Sequence, residues 1–120
     1  MFKRILVSIG SLFFSVSTCL AAPALVADGD FRYSVDGAAR TATVYEFKIS
    51  TNFKKDFVIP KYMSICGVRF LVNKIVEGSI ENAFHGIRSI MVRKDFADDA
   101  ENSEVLKKAS EHGIILIVVG

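Results

Sequence analysis

The sequence predicts a small α+β domain with an N-terminal β-hairpin, several short strands, and a C-terminal helix that leads into a last strand. Three observations predict it. Residues 31–49 alternate apolar and polar side chains on either side of Asp36-Gly37, the pattern of two half-buried strands joined by a turn. Brief apolar runs follow at 57–59, 68–72 and 89–92, too short for helices and bounded by turn residues. In the stretch from Asp98 to His112, Val105, Leu106 and Ala109 recur at helical spacing.

In the first strand, Phe31, Tyr33 and Val35 share a face. Asp36-Gly37 is a dipeptide that accepts positive φ in a hairpin turn. In the second strand the odd positions Thr41, Thr43, Tyr45, Phe47 and Ile49 form the face expected to meet the first. Residues 25–30 read as a linker, and 50–56 as a polar loop. Pro60 stops the run Phe57-Val58-Ile59 because it cannot donate a ladder hydrogen bond. Glu81-Asn82-Ala83-Phe84 suits a single helical turn before Gly86.

The C-terminal helix is expected to be capped by Ser103 or by an aspartate just before it. Asp98, Asp99, Glu101 and Glu104 lie near its start, and Lys107, Lys108 and His112 near its end, as the helix dipole favours. Gly113 is the expected terminator. The run Ile114 to Val119 is apolar at every position, which predicts a strand buried on both faces.

The first 24 residues read as a signal peptide. Lys3 and Arg4 form a basic start, residues 5–16 an apolar core, and Ala22-Pro23-Ala24 a small-residue cleavage pattern, with cuts after Ala21 or Ala22 also open. This divides the chain into a leader, 1–24, and one small domain, 25–120. The expected location is secreted, periplasmic or cell-surface. Of the fifteen basic residues, Lys3 and Arg4 belong to the leader, so thirteen remain to balance thirteen acidic ones. A near-neutral chain offers no electrostatic case for nucleic acid. No second apolar stretch is long enough for a membrane span.

The two cysteines have different prospects. Cys19 is removed with the leader, or it is lipidated, since Val16-Ser17-Thr18-Cys19 is a distant relative of a lipoprotein box. Cys66 reads either as a small buried hydrophobe or as one half of an intermolecular disulfide in an oxidising compartment.

The ordered segments resemble BspA-type leucine-rich repeat proteins. The matching residues are Phe31-Arg32-Tyr33-Ser34-Val35-Asp36-Gly37, Ala42-Thr43-Val44 and Val58-Ile59-Pro60, then the stretch from Gly67 through Val68, Phe70 and Val72 to Ile75. Ala83-Phe84-His85-Gly86 follows, and Ile87, Ile90 and Val92 close the unit. The chain departs from the pattern in the length between Ile75 and Ala83, in lacking a cysteine after Gly86, and in Arg93 at the place of a closing proline. Ile90 to Ile115 and Val92 to Ile117 each span 25 residues, a step within the leucine-rich range. The resemblance implies a leucine-rich-repeat-like domain, with the hairpin and the helix-strand unit as caps and short parallel strands lining a binding face.

No phosphate loop, nucleophile elbow, zinc-protease motif or paired-cysteine motif occurs. His85, His112 and Cys66 are a weak metal set without an assigned fourth ligand, and Asp95, Asp98, Asp99 and Glu101 lack the spacing of a calcium loop. No cofactor, metal site or catalytic residue is therefore expected. Lys54-Lys55 and Arg93-Lys94 are basic pairs that read as solvated charge or as contacts for an acidic partner. The reading is an exported, non-enzymatic binding module, adhesion-like, for a protein or surface polymer. The alternative is a structural envelope protein, a homo-oligomer formed through strand edges.

Overall fold

A computed structural model describes residues 25–120. Eight strands and three helices follow one another: β1 (Leu25–Asp28), β2 (Phe31–Asp36), β3 (Thr41–Phe47), β4 (Lys55–Val58), β5 (Tyr62–Ile65), β6 (Val68–Ile75), α1 (Glu77–Glu81), a 3-10 turn (Phe84–Gly86), β7 (Ile87–Arg93), α2 (Lys94–Asp98), α3 (Ala100–Glu111) and β8 (Ile115–Val119). The α+β class holds. Two sheets carry the strands, one in the order β1-β2-β3-β6-β5 and one in the order β4-β7-β8.

The two sheets share a plan. β3 and β6 pair in parallel in the first sheet, β4 and β7 in the second, and β8 adds to β7 in parallel. The chain thus passes from one sheet to the other, returns, and lays each new strand beside the earlier one. Phe57 is opposite Ile90 and Ile90 is opposite Leu116, steps of 33 and 26 residues. The second step is one residue longer than the sequence spacing suggests. Because side chains alternate along a strand, that single residue exchanges the two faces of β8.

The expected hairpin of β2 and β3 forms, but not with the expected face. Arg32 is opposite Glu46 while Tyr33 is opposite Val44, so Tyr45 is an extra residue in β3. This bulge re-aims the strand. Ala42 and Val44 point into the core ahead of it and Phe47 beyond it, while Tyr45 is exposed. In the connecting loop the Asp36 carboxylate accepts from the backbone N–H groups of Ala38 and Ala39, and the positive φ falls at Arg40 rather than Gly37. The stretch read as a linker is largely β1, an edge strand antiparallel to β2.

The first sheet curls until its edges approach. The Ser64 N–H of β5 donates to the Asp28 carboxylate of β1 at 3.4 Å. Inside, Phe31, Tyr33, Val44, Phe47, Phe70 and Val72 are buried, and the cluster continues through Phe57, Ile90 and Val92 of the second sheet. Tyr33 lies within this core at 1% exposure. Burial, reinforced by the charges of Asp28 and Asp30, raises its hydroxyl pKa well above the ordinary tyrosine value. A raised folded-state pKa gives stability that is complete below the unfolded value, about 10, and lost as pH rises beyond it. Denaturant midpoints are expected to fall above about pH 10, and Tyr33→Phe should flatten that decline while leaving neutral-pH stability nearly unchanged.

Between Ile75 and Ala83, residues Glu77–Glu81 fold as α1. The turn expected at Glu81 to Phe84 is displaced, with the α-helix ending at Glu81 and the 3-10 turn starting at Phe84. Helix α3 starts earlier than Ser103. Its cap is Asp99, whose side chain accepts from the N–H groups of Glu101 and Asn102. Val105, Leu106 and Ala109 are buried as their spacing predicts, and Gly113 adopts φ +87 beyond the helix end.

Candidate binding face

The solvent-facing side of the β4-β7-β8 sheet is the candidate functional site. Register and burial define it. Phe57, Ile90, Val92 and Leu116 turn inward, so by alternation Asp56, Val58, Ser89, Met91, Arg93, Ile115, Ile117 and Val119 form the outer face, with Ser89 buried and Met91 and Arg93 half-buried within it. Val58, Met91 and Ile117 are aligned across the three strands. Val58 is 58% exposed and Ile117 38% exposed.

A polar row lies beside this apolar one. Arg88 is the extra residue where β7 bulges, between Ile87 opposite Lys55 and Ser89 opposite Asp56. It is exposed and makes a two-pronged contact with Asp56, donating from Nε at 2.8 Å and from Nη2 at 2.6 Å. The Ser89 hydroxyl donates to the same carboxylate at 2.7 Å. These donors, Arg88 first, hold the Asp56 carboxyl well below the usual carboxylate range. The other end of the face is closed by Arg93. Its guanidinium donates to the carbonyls of Pro60 and Val72 and pairs with Asp95 at 3.0 Å. Arg93 thus ties β7 to the loop after β4 and to β6.

Of the residues singled out in the sequence, most lie away from this face or serve the fold. Lys55 pairs with Asp30 and lies 5.4 Å from the Phe57 ring centre, and Lys94 pairs with Asp98. Asp99 caps α3 and binds Lys74, which also reaches Glu101. Lys54 is exposed on the loop before β4. His112 stacks flat on Phe84, ring centres 3.9 Å apart, and its Nδ1 meets the Lys108 carbonyl. His85 is exposed in the 3-10 turn. Among the described residues no three acidic, histidine or cysteine side chains form a metal-binding group.

Cys66 is not a buried hydrophobe. It sits exposed with Gly67 in the two-residue turn between β5 and β6, at φ +52 and +80, the paired positive values of a tight hairpin. It does not carry a free thiol. Cys19 and the cleavage positions Ala21, Ala22 and Ala24 lie outside the described residues.

One supporting residue carries no motif in the sequence. Asn102 is fully buried and carries three inter-element hydrogen bonds, accepting from Ile75 N–H and donating to the carbonyls of Asn73 and Phe96. A polar residue interrupting a helix's apolar stripe is the signal that marks it. Gly86 is a second supporting residue. A Cβ built there would stand 2.6 Å from the Ile49 Cβ, so the Ala83-Phe84-His85-Gly86 segment brings β7 against Ile49 because Gly86 has no side chain.

A shallow cavity of about 210 Å³ lies between β3 and α1, lined by Tyr45, Phe47, Ile49, Gly78, Ser79 and Asn82 among others. It falls below the usual range of small-molecule pockets, about 300 Å³ and upward. No helix among the described residues is long and apolar enough to cross a membrane. No protein-family model, curated protein or solved structure matches the chain.

Proposed function

We propose that the protein is an exported, non-enzymatic binding module, leucine-rich-repeat-like in plan, that engages a protein or surface polymer through the outer face of β4, β7 and β8. The observation that carries this reading is the aligned apolar row of exposed Val58, half-buried Met91 and exposed Ile117, beside the Asp56-Arg88-Ser89 row. Exposed apolar residues grouped on a rigid sheet and rimmed by fixed polar groups are the composition of a protein contact surface. The ordered family segments and the basic, apolar and small-residue zones of residues 1–24 support the same reading.

Binding to a panel of extracellular proteins and polysaccharides, read by surface plasmon resonance, tests it. A saturable partner should lose at least about tenfold in affinity with Val58→Asp, while the melting temperature stays close to the parent's. No saturable partner across a broad panel, or a partner indifferent to Val58→Asp, overturns it.

A structural role by self-association through strand edges is the second reading. The uncharged edge of β8 favours it.

A further inference from the structure

The strand edges of the two sheets are treated differently by the sequence. β1 and β5 approach one another, with Asp28 bonded to Ser64, and Lys61 and Arg69 flank the β5 ring of Tyr62. β4 contains Lys55 and Asp56 and is followed by Pro60. Charge and proline of this kind keep an edge from pairing with another chain.

β8 has none of these devices. No charged residue or proline occurs from Ile114 to Gly120. Among the described residues the strand pairs with β7 on one side only, and its other edge is the end of the sheet. Ile115, Ile117, Val118 and Val119 are 58%, 38%, 50% and 42% exposed. Val118 belongs to the inward row of its sheet, next to Val92. Its exposure shows that β8 is uncovered on its inward row as well as on the outer face, although Val92 beside it is buried.

We infer that β8 pairs antiparallel with β8 of a second copy of this chain, across a two-fold axis at Ile117. The strand is complementary to itself. With Ile117 on the axis, Ile115 meets Val119 of the other copy and Leu116 meets Val118, apolar against apolar at every position. Directly opposed residues of an antiparallel pair share a face, so the outer row extends into the partner's outer row and the exposed Val118 is covered from the partner's side. The product is one six-stranded sheet, β4-β7-β8 continued by β8-β7-β4 of the partner, through an isologous contact that closes at two copies. Two uncharged edges meet without the repulsion that charged strands would impose. This inference rests on the second reading above and needs no ligand on the outer face.

Sedimentation velocity of the full chain purified from its host, across low-micromolar to near-millimolar concentration, tests it together with amide exchange. A monomer–dimer equilibrium is expected, with the amides of 115–119 more protected at high concentration. Val118→Lys places like charges in the new seam without altering the outer row, and should weaken the dimer at least about tenfold. Should that variant unfold, Leu116→Thr with a retained circular dichroism spectrum and reduced dimerisation serves the same purpose. A monomer at every concentration overturns the inference and leaves the edge to a strand from another protein. A dimer untouched by both variants, or one without new protection at 115–119, overturns it as well. Loss of ligand binding in Val58→Asp with the dimer intact separates the two proposals.

Discussion

Asn102→Ala is expected to lower the unfolding free energy by about 3 to 5 kcal/mol. The side chain is fully buried, and it joins α3 to β6 and to α2 through the Ile75 N–H and the carbonyls of Asn73 and Phe96. Truncation leaves these three backbone groups without that partner in a dry site, at a cost of about 1 to 3 kcal/mol for each group left unsatisfied. Asn102→Asp keeps the acceptor for Ile75 but loses both donors and brings a charge into the core, so it should not rescue. Ser103→Ala, one residue on and exposed, should change stability by no more than about 0.5 kcal/mol. Urea unfolding of the three variants, with the slope compared to the parent's, decides the matter. A loss below about 1 kcal/mol for Asn102→Ala would remove the residue from its place as the joint.

Phe57→Ala is expected to cost about 3 to 5 kcal/mol. Phe57 belongs to β4, yet its ring lies 5.7 Å from Phe31 and 5.0 Å from Phe47, both in the other sheet, and the contact with Phe47 is edge-to-face at 87°. The side chain is 1% exposed. Its removal opens a cavity where the two sheets meet and forfeits aromatic pairs of about 0.5 to 1.5 kcal/mol each beyond area burial. A domain of this size has on the order of 5 to 15 kcal/mol in all, so the melting temperature should drop by on the order of 20 °C. Phe57→Leu, which keeps most of the volume, should cost less than half as much. Calorimetric unfolding of the pair distinguishes a packing joint from a side chain whose neighbours can close over the gap.

Both residues show where sequence reading succeeds and stops. Phe57 was legible as a buried strand residue from the run ended by Pro60, but its partners 26 and 10 residues away were not. Asn102 interrupts the apolar stripe of α3, which marks it as a buried polar residue, but its partners Ile75 and Asn73 lie on another element and were not legible. The candidate face was legible only in kind. The short apolar runs at 57–59 and 89–92 were legible as strands, but the parallel pairing of β4, β7 and β8 was not. Which side chains share a row depended on the bulge at Arg88 and on the single added residue in the step from β7 to β8.

The features legible in the sequence are local. The alternation of Phe31, Tyr33 and Val35, the acids ahead of α3, the spacing of Val105, Leu106 and Ala109, and the stop at Gly113 all appear in the structure. Each depends on forces acting within a few residues: pleat, cap, dipole and backbone sterics. Tertiary structure decided the rest. The bulge at Tyr45 exchanged the buried face of β3, and the place of β8 at the sheet end left an apolar strand exposed where its composition predicts burial on both sides. Composition says what a strand can bury; only its neighbours say what is buried, because burial belongs to the contact between elements.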